Sequence, residues 1–326
     1  MKSADLDEVD RRLVHALQID GRAPFSRIAE VLDVSEQTAA RRYRRLRTAG
    51  VLRVVGGVDG SRLGYVSWTI RLRCTPDAAN PIAAALSRRP DTFWVHILSG
   101  GTEISCFTQA RTDDESDALL LEKLPRTSRV LGIAAHSMLQ GFTTPSGWPG
   151  LARLTTQQVE RLRPELPPPD DGPVVLDAGD EALLRGLARD GRMGYGELAA
   201  DTGWSESTVR RRIDHLRRAG VLRYQVEISP GALGFHAEAR LWISVRPSAL
   251  VPVANELSSH PEVNFAAATT GPTNLMAAVT CRNTRDLYRY LTERVGSLEA
   301  VHTLETAPVM RTVKRTGTVL LLRPDE

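Results

Sequence analysis

Ala49-Gly50-Val51-Leu52-Arg53 returns letter for letter as Ala219-Gly220-Val221-Leu222-Arg223, and this echo decides the fold. Working outward, the whole segment Leu6–Val55 reappears without a gap at Leu176–Gln225. Asp20-Gly21-Arg22 matches Asp190-Gly191-Arg192, Ala29 matches Ala199, and Ser35 and Thr38 match Ser205 and Thr208. Leu63-Gly64-Tyr65 aligns with Leu233-Gly234-Phe235; beyond it the register slips slightly, and Gly100-x-Thr102 pairs with Gly271-x-Thr273. An ungapped match of this length makes the chain a duplicated two-part unit. The stretch from Pro145 to Pro173 separates the copies and includes Pro164-Glu-Leu-Pro-Pro-Pro-Asp-Asp-Gly-Pro173. Consecutive prolines exclude helix and central strand, so it reads as an extended spacer, with a short helix Thr155–Leu162 capped by Thr155 or Thr156.

In the first part of each copy, Val9, Leu13, Val14 and Leu17 recur at helical spacing, and Asp20-Gly21 stops the helix. A second helix starts near Pro24, a residue suited to the first helical position, and buries Ile28, Ala29 and Leu32. A third opens on Ser35 as N-cap and closes at Gly50, with Ala39, Tyr43 and Leu46 inward; Val209, Ile213 and Leu216 do the same in the second copy. Two short helices, a tight turn and a basic, capped second helix describe a helix-turn-helix, in which the second helix enters the DNA major groove.

The buried stripe places Gln37, Thr38, Arg41, Arg44 and Arg45 on the opposite side, and Ser207, Thr208, Arg210, Arg211 and His215 in the other copy. Arg41 and Arg211 are the candidate base readers, since arginine bonds guanine bidentately, and Gln37 suits adenine. Ser35, Ser205 and the remaining arginines suit phosphates. Arg42 and Arg212 flank the buried stripe, where each also has the reach to bridge back to the preceding helix. A basic helical face is often merely solvated. Here, however, the runs Arg41-Arg42-x-Arg44-Arg45-x-Arg47 and Arg210-Arg211-Arg212 have few acidic neighbours to neutralise them.

The second part opens on a strand, Val66–Cys74 or Ala237–Val245, followed by a helix, Asn80–Arg88 or Ala249–Ser259. Two alternating runs then flank a glycine turn: Phe93–Leu98 with Ile104–Ala110, and Val263–Thr269 with Leu275–Cys281. A helix, Asp113–Leu124 or Arg285–Val295, leads to a last strand, Val130–Leu139 or Val301–Val309. The order βαββαβ predicts a ferredoxin-like sandwich whose second sheet face is open to a partner sheet. The fold class is therefore α+β: two winged-type, three-helix helix-turn-helix domains and two ferredoxin-like effector domains. Expected boundaries are 1–57 and 175–227 for the helix-turn-helix domains, 58–144 and 228–326 for the effector domains, and 145–174 for the linker. The turns Gly100-Gly101-Thr102-Glu103 and Gly271-Pro272-Thr273-Asn274 are either ordinary hairpin turns or effector loops. In the second case Gly100, Thr102, Glu103, Gly271, Thr273 and Asn274 are the candidate ligand residues.

The chain has 326 residues, enough for several cores, and its net charge of +3 decides little. Cys74, Cys106 and Cys281 are isolated, which fits a reducing compartment and no metal. The acidic start MKSADLDEVD is no signal peptide, and no apolar run is long enough for a bilayer, so a cytoplasmic protein without membrane association is expected. No phosphate loop, dinucleotide fingerprint or nucleophile–base motif is present, so no cofactor and no catalysis are expected.

Leu6-Asp7-x-x-Asp10-x-x-Leu13, Asp20-Gly21-Arg22, Ser35–Arg45 and Ala49-Gly50-Val51-Leu52 resemble the Lrp/AsnC family of feast/famine regulators. The resemblance spans nearly the whole chain, twice. It implies a transcriptional regulator of double-stranded DNA, answering to an amino acid or related metabolite and forming a homo-oligomer, a dimer or higher. The family's effector loop commonly carries an acidic residue; Glu103 supplies one, whereas Asn274 does not. The same architecture is shared by siroheme decarboxylases. Such an enzyme should carry clustered His and Arg on its effector strands, whereas His96, His136 and His302 read as lone residues there.

Overall fold

The computed structural model describes residues 6–112, 114, 129–144, 147–164 and 174–315. All of the expected helix Asp113–Leu124 except residue 114, and most of the proline run, lie outside the described residues. The chain divides into two compact units. One gathers residues 1–63, 145–147 and 151–234; the other gathers 64–144, 148–150 and 235–326. The first therefore holds both helix-turn-helix segments and the second both effector segments, in the α+β class expected.

In the first unit, α1 (Glu8–Ile19), α2 (Phe25–Leu32) and α3 (Glu36–Thr48) repeat as α6 (Ala178–Arg189), α7 (Tyr195–Thr202) and α8 (Glu206–Arg218); α5 (Thr156–Leu162) lies between them in sequence. Asp7 and Asp177 cap α1 and α6 through reciprocal capping boxes with Asp10 and Asp180. Pro24 is the N-cap of α2, with ψ 143°, so the helix begins one residue later than expected. The turn into the third helix needs a left-handed residue; Asp33 supplies it at φ 56° and Gly203 at φ 73°. Leu13, Leu17, Ile28, Leu32 and Leu46 fill one core and Leu183, Leu187, Leu198, Ile213 and Leu216 the other.

The two copies are clasped together. After each third helix comes a strand, β1 (Leu52–Val58) or β6 (Leu222–Ile228), and these pair antiparallel from Leu52↔Ile228 to Val58↔Leu222. Gly56 is required here, because a Cβ would lie 2.9 Å from the Leu187 Cβ. Arg22 donates to the carbonyls of Gly191 (2.8 Å) and Met193 (3.1 Å), and Arg192 donates to those of Gly21 (2.7 Å) and Ala23 (3.0 Å). Each guanidinium also lies over an aromatic ring of the other copy, Arg22 on Tyr195 (4.8 Å) and Arg192 on Phe25 (4.4 Å). Two ion pairs repeat the exchange, Arg47 with Asp190 (2.8 Å) and Arg217 with Asp20 (3.3 Å). The helix-stopping turn Asp20-Gly21-Arg22 is thus also the joint. Within the spacer, Thr155 caps α5, whose Gln158 donates to the Val31 carbonyl (2.8 Å). The backbone amides of Arg153 and Leu154 both donate to His15 Nδ1 (3.0 Å each).

In the second unit, β2 (Val66–Cys74), α4 (Pro76–Ser87), β3 (Thr92–Leu98), β4 (Glu103–Ala110) and β5 (Val130–Thr143) form the first effector segment. The second comprises β7 (Ala237–Val245), α9 (Leu250–Ser259), β8 (Val263–Thr269), β9 (Leu275–Cys281), α10 (Thr284–Arg289, continued as a wider turn to Val295) and β10 (Val301–Lys314). Helix α4 starts earlier than expected, with Pro76 in its first turn. The strand orders are β5-β2-β4-β3 and β10-β7-β9-β8, the ferredoxin-like order in both. The last strands run longer than expected, because each crosses to the other sheet: β5 pairs with β8 and β10 with β3, closing one eight-stranded barrel. One face of each sheet packs on helices through clusters such as Leu241, Ile243, Val253 and Leu257, or Ile70, Leu72, Ile82 and Leu86. Alternate residues on the same strands turn inward, Leu98, Trp242, Met276 and Ala307 among them.

Candidate nucleic-acid interface

Helices α3 and α8 share two devices, a serine cap and an arginine on a buried aspartate. Ser35 Oγ accepts from the Thr38 amide (3.1 Å) and Ser205 Oγ from the Thr208 amide (3.2 Å), so both serines cap their helices. Thr38 and Thr208 are half-buried and bond those same hydroxyls. Asp10 and Asp180 are fully buried and anchor the third helix from behind. Arg42 reaches Asp7 (2.6 Å) and Asp10 (2.9 Å), Arg45 reaches Asp10 (2.5 Å), and Arg212 chelates Asp180 through both Nε and Nη2. These carboxylates hold the guanidiniums of Arg42 and Arg212 above their usual range. Arg42 and Arg212 thus bridge back to the first helix of their own copy, α1 or α6, and not to the helix immediately before them.

The outward face is formed by the other polar side chains together with Arg45, which stays exposed while reaching Asp10. Gln37, Arg41, Arg44 and Arg45 are exposed on α3, and Ser207, Arg210 and Arg211 on α8; His215 is half-buried. Arg41 and Arg211 pair with no carboxylate among the described residues, and Arg44 bonds only the Ala40 carbonyl (3.3 Å). Arg210 lies over Tyr195 (4.7 Å). Beside α8 an open cleft of about 920 Å³ is lined by Arg27, Arg210, Arg211, Arg217 and Arg218 against Asp20, Glu206 and Asp214. The two outward faces are unequal: Asp214 stands where α3 has Arg44, and Ser207 where it has Gln37.

The hairpin residues are engaged internally. Ser99, Gly100 and Gly101 all have positive φ (50°, 70° and 86°), and Thr102 Oγ1 donates to the Ser99 carbonyl (2.8 Å). Glu103 is buried; one carboxylate oxygen takes two bonds from Arg71 (3.1 and 2.6 Å) and the other takes one from Ser99 (3.2 Å). Arg71 also pairs with Glu305 and lies over Trp242 (4.2 Å). Asn274 clasps both backbone groups of Val245 (2.8 Å each), Thr273 gives its carbonyl to Thr269 (3.0 Å), and Gly271 at φ 99° leaves room for His136. Sequence reasoning missed His96. On β3 it meets Arg240 of β7, with His96 Nε2 2.5 Å from the Arg240 guanidinium, so it is not a lone strand histidine. The signal was hidden because the two residues lie in different copies.

The chain thus combines paired helix-turn-helix segments carrying outward arginines with a ferredoxin-like barrel. The AsnC-type helix-turn-helix model matches residues 6–47 and 176–217, and the Lrp/AsnC ligand binding domain model matches 238–319. An uncharacterized HTH-type transcriptional regulator of Pyrococcus abyssi is 34% identical over 145 residues, 44% of this chain and 91% of that one. HTH-type transcriptional regulator FL11 of Pyrococcus furiosus is 32% identical over 143 residues, 44% of this chain and 94% of that one. The chain belongs to the Lrp/AsnC family of transcriptional regulators. These relatives each match less than half of it along nearly their full length, so they hold a single unit where this chain holds two.

Among solved structures, the siroheme decarboxylase NirDL superposes with a TM-score of 0.63 at 15% identity, covering 95% of this chain and 93% of that one. This likeness in fold corrects the expectation that the chain is no enzyme: an enzyme is built on the whole duplicated architecture, so the architecture does not exclude catalysis. Among the described residues, no helix is long and apolar enough to cross a membrane.

Proposed function

We propose that the chain is a cytoplasmic, sequence-specific DNA-binding transcriptional regulator that reads an asymmetric operator with the two unequal helices α3 and α8. The observation that carries this reading is the division of labour among the arginines. Arg42 and Arg212 spend their charge on buried aspartates and fix the helices, while Arg41 and Arg211, one position earlier, stay exposed and pair with no carboxylate among the described residues. Arg41 and Arg211 read guanine edges, Gln37 reads adenine, and Arg44, Arg45, Arg210 and His215 hold phosphates. Ser35, Ser207, Ser205 and Thr208 set the first turn of each helix against the backbone, as does Thr38. On this reading the helix-turn-helix domains run 1–57 and 175–227 and the effector domains 58–144 and 228–326, with 145–174 as the linker.

Effector domains of this family answer to small metabolites, and an amino acid or a related compound is the effector proposed here. The loops carrying Gly100, Thr102 and Glu103, and Gly271, Thr273 and Asn274, are its candidate site. Homo-oligomers are proposed above the single chain. Selection of bound duplexes from a random pool tests the reading. Recovery of one motif with two different half-sites supports it. Salt-dependent binding with no motif, or no binding, rejects it.

A further inference from the structure

The barrel interior contains a guanidinium without an ion-pair partner; the Glu238 carboxylate, two residues away on β7, acts on it only from a distance. Arg240 is 5% exposed, yet no carboxylate among the described residues pairs with it; one guanidinium nitrogen meets His96, and Nε has no partner. Arginine has no acceptor, so His96 Nε2 must be the unprotonated nitrogen, and Nδ1–H donates to Thr312 Oγ1 (3.1 Å). Burial first, then the Arg240 charge and that of Arg315, hold His96 neutral, well below its ordinary range. Ser105, paired with His96 across the strands, is buried and its hydroxyl is also without a partner. Beside His96, Trp94 is held at φ 52°, a left-handed conformation that is a genuine outlier for a bulky residue.

The duplication supplies an internal control. Thr312 is in register with His96 where β10 meets β3, and Gly141 is in register with Ala267 where β5 meets β8. The counterpart of Arg240 is Thr69, which donates to the Met276 sulfur (3.4 Å). Around Arg240, Ala278 and Ser105 stand where the other copy has the larger Phe107 and Met276. The same barrel therefore closes without charge at one site, while at the other it keeps a guanidinium that pairs with no carboxylate among the described residues. A buried charge without an ion-pair partner is destabilising, so packing alone does not account for it.

We infer that Arg240, His96 and Ser105 form a binding site inside the barrel for the carboxylate of a small organic acid. The guanidinium supplies the charge and Ser105 a hydroxyl donor, while neutral His96 fixes the guanidinium plane. This deepens the effector reading by naming a ligand position inside the barrel, on β7 and on the two strands, β3 and β4, that flank the Gly100-Gly101-Thr102-Glu103 turn. The test uses no DNA, so its failure is distinguishable from failure of operator binding.

Full-length protein with 15N-labelled histidine is titrated with sodium acetate or sodium formate, with sodium chloride holding ionic strength constant. The His96→Ala variant, which copies Ala267, assigns the His96 signals. The expected result is a saturable shift of the His96 ring resonances with either carboxylate, and a rise of its protonation midpoint as the bound anion offsets the Arg240 charge. Arg240→Thr, which copies Thr69, abolishes the shift. Should that variant fail to fold, the wild-type titration decides alone. His96 signals that ignore both carboxylates, or that move equally in Arg240→Thr, overturn the inference and leave the guanidinium solvated by buried water.

Discussion

Replacing Arg192 with methionine tests how the two helix-turn-helix copies are held together. The substitution removes two bonds from a charged donor, to Gly21 O at 2.7 Å and Ala23 O at 3.0 Å, and a stack on Phe25. Bonds from a charged donor contribute about 1.5–3 kcal/mol each, and the freed carbonyls regain some water, so the low end applies. The total is about 3 kcal/mol, which at 1.4 kcal/mol per decade is roughly a hundredfold. The assay is amide hydrogen exchange of Leu52–Val58 and Leu222–Ile228, whose ladder exists only while the copies are joined. Exchange there should accelerate roughly a hundredfold, while strands of the barrel keep their protection. Arg22→Met should act alike, and the double variant should lose less than the sum, because both forks close one joint. Unchanged protection of both strands in either variant would falsify the assignment of the joint to these arginines.

Four further outcomes follow from the same geometry. Asp10→Asn leaves Arg42 and Arg45 without their buried counter-charge and should cost about 3 kcal/mol, as should Asp180→Asn for Arg212; urea midpoints report both. Gly21→Ala places a Cβ 2.8 Å from Tyr224 Cβ and Val54 Cγ1 and should destabilise the same unit by about 1–3 kcal/mol. His15 accepts two backbone amides on Nδ1, and burial, then Arg153, lower its pKa from the ordinary 6.5. The unfolded chain therefore takes up a proton that the folded chain refuses, so docking of Thr156–Leu162 is complete above 6.5 and weakens as pH falls below it. Exchange of that helix at pH 7 and pH 5 checks the sign. Arg44→Ala, a phosphate contact in this account, should weaken all duplexes alike and reduce the salt slope by about one.

Much of this was legible in the sequence, and the omissions share one cause. Ser35 and Ser205, the apolar stripes at helical spacing and the glycine turns are local signals, and the helices and hairpin strands follow from them. Leu52–Val58 has no alternation and two central glycines, so nothing local marks it as a strand; its partner lies in the other copy. Arg22 reads as part of a helix stop because its acceptors are Gly191 and Met193. The reach of β5 and β10 beyond Leu139 and Val309 depends on strands of the opposite sheet. His96 looks solitary on its strand because Arg240 is contributed by the second copy. Duplication was visible as repetition, but the contacts between the repeats were not. The exclusion of catalysis rested on absent motifs and on histidines that read as lone, and it is overturned by the likeness of the whole fold to an enzyme, which no local motif announces.

The central claim is that α3 and α8 read different half-sites of one operator. The most direct test titrates the selected duplex, and versions altered at single base pairs, with wild type, Arg41→Ala and Arg211→Ala at several salt concentrations. The account predicts that each variant loses about 1–3 kcal/mol on the parent duplex and becomes indifferent to one base pair, Arg41→Ala in one half-site and Arg211→Ala in the other. Losses equal on every sequence, or both variants relaxing the same base pair, would contradict it.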